Sequence, residues 1–265
     1  LNTNTAGFGV LINHAISQGA NNLILCVGGS ASVDGGIGAL REMGLTIVNN
    51  SPNRNYITDI KGINTELLQQ KFKEIHITIL CDVDNPICGP EGAAAVFAPQ
   101  KGASPEQIIM LDNQLCLWSD LLKQNTGKDI TQLKHGGAAG GITAAMYALL
   151  NAQLISGSEY CLTLSRFHDN LLQAGVVITG EGKIDLQSFY GKIPGTVANL
   201  CQKHNVPVYA VVGLAEKQVL TRFDKVFIMS QYTRSIQDSI KNAPHYLKII
   251  SQAIVDTLYL SAYSD

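Results

Sequence analysis

The sequence has no CxxC pair and no Cys/His group at zinc-ligand spacing, although six cysteines occur, at 26, 81, 88, 116, 161 and 201. That pattern argues against a zinc site. Most of these cysteines lie in apolar stretches such as LILCV and ITILC, which suits buried thiols of a reducing compartment. The six histidines are scattered singly. No apolar run approaches the length of a membrane span, and no signal peptide is visible, so a cytoplasmic location is expected. Charge is scarce: 15% of residues are charged and the net charge is −2. No basic field marks a nucleic-acid or membrane partner. The 46% hydrophobic share supports a large core, or burial against a second copy in a homodimer. Neither G-x-G-x-x-G nor the P-loop pattern is present, which counts against a nicotinamide-dependent oxidoreductase. There is no internal repeat and no low-complexity linker.

What is present is an alternation of helical and strand patterning. Apolar residues at 8, 11, 12, 15 and 16 mark a helical face over 7–18. A strand is expected at 23–27 and a second, β-branched and alternating, at 75–81 (IHITILC). Ser104, Pro105 and Glu106 supply an N-cap, a first residue and a first-turn acid for a helix to about 123. Another helix follows at 142–150. Then come a strand at 160–164, a helix at 167–173 and a strand at 176–179. A helix at 195–204, strands at 206–212 and 226–228, and terminal helices near 235–241 and 246–259 complete the pattern. This order predicts an α/β fold with mainly parallel sheet. Two unlike lobes are expected, 1–155 and a Rossmann-like 156–265. Ligands in such folds bind at the C-terminal ends of the strands.

Four segments at those ends carry candidate chemistry. GGSASVDGG at 28–36 offers bare backbone to an anion ahead of a helix N-terminus, though a tight turn would look the same. CDVDNPICGPEGAAAVFAPQKGA at 81–103 sets Asp82 and Asp84 after a strand, where Mg2+ could take a carboxylate or Asx-turns could form. Lys101 there suits an anion or plain solvent. GGAAGG at 136–141 fits close helix packing as well as a ligand. VITGEGKIDLQSFYGK at 177–192 sets an acid between glycines, with Lys183, Asp185 and Lys192 following. Glycine cradles, lysines and several acids together suit phosphoryl transfer, which needs positioning and charge neutralisation more than a covalent nucleophile.

In order and spacing, these four segments resemble the glycerate kinase type 1 family over about residues 5–215. The resemblance implies two α/β lobes with the active site in the cleft between them. It implies ATP- and Mg2+-dependent phosphorylation of D-glycerate, giving 2-phosphoglycerate in many bacterial members. Gly28, Gly29, Ser30, Asp34, Asn85, Gly140, Gly141, Thr179, Glu181 and Ser188 then become substrate- or phosphate-binding candidates. Asp185, Lys192 and Lys101 become the catalytic candidates, and Asp82 and Asp185 the metal-proximal acids. Asp185 is expected to accept the hydroxyl proton; Lys192 and Lys101 are expected to contact phosphate or carboxylate. Two departures stand out. Val33 replaces the family's usual Asn. The family's N-terminal segment, with its Asp-Ser-Phe-Lys-Gly motif and a second Asp-Gly-Gly-Glu-Gly motif, has no counterpart, so a longer native protein is expected. A truncated, non-catalytic sugar-acid or nucleotide-binding paralogue is the alternative reading.

Overall fold

The structure, a computed structural model, describes residues 3–49, 60–189 and 191–262. It divides into two compact units, 1–157 and 158–265.

The first unit is built on a parallel sheet in the order β1-β4-β5, from β1 (Asn22–Cys26), β4 (His76–Cys81) and β5 (Gln153–Ser156). The central strand β4 buries Ile77, Ile79 and Cys81 in strict alternation, the period-2 signal of a packed strand. A separate antiparallel pair joins β2 (Thr46–Asn49) to β3 (Ile60–Asn64). Around the sheet lie α1 (Ala6–Ser17), α2 (Ile37–Met43), α3 (Glu66–Phe72), α4 (Ala93–Phe97), α5 (Pro105–Thr126) and α6 (Ile142–Leu150). β2, β3 and α3 fall in a stretch to which the sequence pattern assigned no element.

Helix α5 forms as its sequence dictates. The Ser104 side chain accepts from Gln107 N, the Gln107 side chain accepts from Ser104 N, Pro105 opens the first turn, and left-handed Gly127 closes the helix. Its buried stripe of Leu111, Leu115, Trp118 and Leu122 recurs at helical spacing, each fully buried leucine contributing about 1.5–3 kcal/mol. The Trp118 indole N–H donates to Gly35 O at 3.0 Å, which ties this helix to the loop after β1.

The second unit carries a parallel sheet in the order β6-β7-β8, from β6 (Val177–Ile184), β7 (Val208–Ala215) and β8 (Lys225–Ile228). Val208, Ala210 and Val212 of β7 join one core with Val197, Ala198 and Cys201 of α9 (Ile193–Lys203). Tyr209 joins the other core, with Ile250 and Ile254 of α11 (Ala243–Ala262). A central strand covered on both sides explains the unbroken apolar run. The remaining helices are α7 (Gly157–Leu164), α8 (Phe167–Leu171) and α10 (Ile236–Lys241).

The mainly parallel α/β architecture is the expected one, with two local corrections. Residues 160–164, expected as a strand, belong to helix α7; Ser158 and Leu162, one turn apart, are its buried positions. Short apolar runs do not separate strand from helix by pattern alone. The expected loop after 179 is largely strand: β6 runs on to Ile184, and Gly180, Glu181 and Lys183 stand in register with Val211, Val212 and Leu214. Gly213 lies so close to Gly182 that a Cβ on it would sit 2.5 Å from the Gly182 carbonyl oxygen. The thiols also differ from expectation. Cys88 and Cys116 are joined as a disulfide, and Cys26 and Cys161 are exposed. Among the described residues, no helix is long and apolar enough to cross a membrane.

Candidate active site

Candidate residues gather in two clusters, one in each unit. In the first, β1 and β4 run side by side, with Cys26 opposite Leu80, so their following loops emerge together. Between them lies a pocket of about 200 Å³ whose lining includes Gly28, Gly29, Ser30, Asp82 and Lys101. No atom lies within 4 Å of where a Cβ would stand on Gly28 or Gly29, and Gly29 has φ +71. Bare, open backbone at a parallel strand end is what an anion needs.

Lys101 closes one side of this pocket. It stands on a short turn after α4, and its Nζ donates to Ser32 O at 2.7 Å and Ser30 Oγ at 3.0 Å. Burial pushes its pKa below the usual lysine range, and nearby Asp34 partly offsets this. The ammonium is thus held in place and poorly solvated, so an incoming anion would regain for it some of the interaction lost to burial.

Asp34 does not line the pocket. Its Oδ2 accepts from Thr5 N (2.8 Å), Thr5 Oγ1 (2.8 Å) and Gly38 N (3.1 Å), and its Oδ1 from Gly36 N (3.2 Å). It anchors the start of α2 to that of α1. Asn85 is likewise engaged within its own loop and is not in the pocket lining, its Nδ2 donating to Glu91 O at 2.8 Å. Gly140 and Gly141 are packing glycines, with φ +75 and +95; a Cβ on Gly140 would lie 2.3 Å from Ser32 O.

The second cluster surrounds the end of β6. Lys183 Nζ lies 3.3 Å from Asp185 Oδ2 and 3.1 Å from Glu216 Oε1. Asp185 Oδ1 accepts from Ser188 N (3.2 Å) and Ser188 Oγ (3.3 Å), while Asp185 N donates to Ser188 Oγ (3.2 Å). Burial opposes ionisation of Asp185, but Lys183 and Ser188 outweigh it and hold the carboxyl below its usual range. Ser188 is fully buried, so it positions Asp185 from behind. Lys192 is exposed and precedes α9, its carbonyl accepting from Thr196 N at 3.0 Å. Thr179 and Glu181 border a separate, mostly apolar crevice of about 720 Å³ over β6 and β7.

Glu216 and Ser32 escaped the sequence reading because each meets its lysine only through the fold, and no spacing announces the pairing. A metal is a question of donors. Among the described residues, no group of three or more His, Cys, Asp or Glu side chains converges. Asp82 borders the pocket, and one carboxylate of this kind suits Mg2+ that is carried mainly by phosphate oxygens. Both oxygens of Asp185 are already engaged.

Parallel strands ending in a glycine-lined pocket beside half-buried Lys101 define an α/β protein with a candidate ligand site at its strand ends. The chain belongs to the glycerate kinase family, whose model matches residues 1–259. It is 38% identical over 216 residues to a glycerate kinase of Halalkalibacterium halodurans, covering 80% of this chain and 57% of that protein. A glycerate 2-kinase of Escherichia coli matches with the same identity and coverage. A glycerate kinase of Haemophilus influenzae is 34% identical, over 97% of this chain and 70% of its own length. A crystal structure assigned to glycerate kinase 2 of Salmonella typhimurium superposes with a TM-score of 0.78 at 35% identity, covering 99% of this chain and 71% of that one. The chain therefore spans 57% of the length of the first two relatives.

Proposed function

We propose that this chain carries the phosphoryl-transfer machinery of a D-glycerate kinase, using ATP and Mg2+ in a cytoplasmic setting and yielding 2-phosphoglycerate. The observation that carries this reading is Lys101, half-buried and hydrogen-bonded beside open Gly28–Gly29 backbone, in a chain whose family model spans 1–259. The 2-phosphate product follows the relative named glycerate 2-kinase.

In this reading Lys101 and the backbone N–H groups of 28–30 hold an anionic group, phosphate or the glycerate carboxylate. Asp82, in the pocket lining, would hold Mg2+ carried on the phosphates of ATP, and the ion would supply charge neutralisation for the phosphoryl group that ATP donates. Asp185 takes the proton of the attacking hydroxyl. Lys183 keeps that carboxylate ionised, and Ser188 fixes its direction. Lys192 supplies an exposed positive charge from the start of α9. Asp34, Asn85, Gly140 and Gly141 act by holding loops in place rather than by touching substrate.

The test is ADP release from MgATP, with and without D-glycerate, and 31P NMR of the product. Glycerate-dependent ADP formation with a 2-phosphate signal supports the reading. Binding of ATP or glycerate without product selects the non-catalytic alternative.

A further inference from the structure

The proposed mechanism leaves a buried histidine unused. His135 is 9% exposed and has φ +67. A non-glycine residue in the left-handed region costs roughly 1 kcal/mol, and glycine, which follows at 136 and 137, would turn the chain without that cost. The imidazole ring makes contacts at this position that a glycine could not.

The His135 Nδ1 lies 2.7 Å from Val83 O and 3.2 Å from Asp84 Oδ1. A carbonyl only accepts, so Nδ1 carries the proton in this contact. Val83 lines the 200 Å³ pocket next to Asp82. The His135 backbone is pinned in turn, its carbonyl accepting from the buried Thr143 hydroxyl at 2.6 Å. Two residues on, Gly137 N donates to Asn85 O at 2.8 Å, and Gly140 O accepts from Gly35 N at 3.0 Å. Gly137 also approaches so closely that a Cβ there would meet Pro86 O. Segment 135–140 therefore clasps both strand-end loops, the one after β4 through His135 and Gly137, the one after β1 through Gly140.

We infer that His135 is a positioning residue for the reaction: its ring holds the Val83 carbonyl and so sets Asp82 against Gly28–Ser30 and Lys101. It touches no substrate itself. This inference rests on the proposed function for its kinetic consequence, but not for its structural one.

The test compares His135→Gly with His135→Asn in the 265-residue chain. Glycine keeps the left-handed backbone and deletes the donor. Asparagine tolerates the same backbone, and its Nδ2 stands close to where Nδ1 stood. With D-glycerate and MgATP, His135→Gly is expected to lose about 10-fold or more in kcat with a smaller change in KM, as displaced catalytic groups do. His135→Asn is expected to recover most of that loss. Hydrogen exchange at the Gly137 amide should accelerate about 10-fold in His135→Gly, as for a loosened hydrogen bond, and return toward the original rate in His135→Asn. Equal turnover in the two variants overturns the inference and leaves the kinase reading standing. If the unsubstituted chain shows no turnover, the kinase reading fails. The inference is then decided by exchange, and an unchanged Gly137 rate in His135→Gly overturns it.

Discussion

Lys101 Nζ lies 3.0 Å from Ser30 Oγ, joining two loops whose residues stand 71 positions apart in the sequence. The same ammonium binds Ser32 O, so it is oriented before any ligand arrives. Pre-oriented charge stabilises a transition state at little cost in reorganisation. Lys101→Met is therefore expected to lower kcat/KM about 100-fold, and steady-state kinetics check this. Arginine should not restore the rate, because its planar fork does not fit a niche built around a point donor.

The pH behaviour of Lys101 follows from its surroundings. Burial holds its pKa below the usual lysine range, and Asp34 pulls it partly back. For a lysine lowered on folding, the unfolded chain holds more protons between the two pKa values. Stability attributable to this group therefore rises with pH across that alkaline window. Removing the Asp34 charge removes the part that opposes the shift. NMR titration of the Lys101 Nζ group should place its midpoint below that of a free lysine, and lower still in Asp34→Asn.

Asp185 shows the same sign of dependence in the acidic range. Lys183 and Ser188 together overcome burial and hold its pKa low. Its stabilising contribution is present above the ordinary carboxylate range and fades as pH falls through the folded value. Without Lys183 the carboxyl should protonate at higher pH. In Lys183→Met the acid limb of the pH–rate profile is expected to move upward. An unmoved limb would take Asp185 out of the role of proton acceptor.

Much of the fold was legible because burial writes itself into sequence period. The alternation in β4 and the Ser104–Gln107 cap of α5 are local, and the structure has both. Helix α7 was not legible, because Tyr160–Leu164 carries apolar residues at positions that suit either period. β6 was read as ending at 179 because glycine and charge usually signal a loop; here the glycines admit close sheet contact with Gly213. Lys101 and the glycines of 28–29 could be picked out by residue type. The commitment of the Asp34 carboxylate to Thr5 could not, since it depends on α1 and α2 meeting.

Two glycines give a direct contrast. A Cβ on Gly140 would strike Ser32 O at 2.3 Å, and its φ is +75. Gly140→Ala should destabilise the chain by roughly 2–3 kcal/mol, read as a lower urea midpoint. Gly28 has neither positive φ nor an atom within 4 Å. Gly28→Ala should leave stability within about 0.5 kcal/mol while weakening ligand binding, because the new methyl group stands at the open pocket.

Thiol chemistry tests burial independently of any activity. Cys26 and Cys161 are exposed, Cys81 and Cys201 are buried, and Cys88 is joined to Cys116. Burial, reinforced by Asp82, pushes the Cys81 thiol up to about 12; burial, reinforced by Asp224, pushes Cys201 up to about 11. Only thiolate reacts quickly, so both obstacles, access and ionisation, protect the same pair. Without reductant, a disulfide-exchange reagent should label Cys26 and Cys161 promptly in the folded chain. In denaturant the total should rise to four, and peptide mapping should return Cys88 and Cys116 unlabelled. Prompt labelling of Cys81 in the folded chain would mean that the end of β4, from which Asp82 projects, is open to solvent in a way the packing here does not allow.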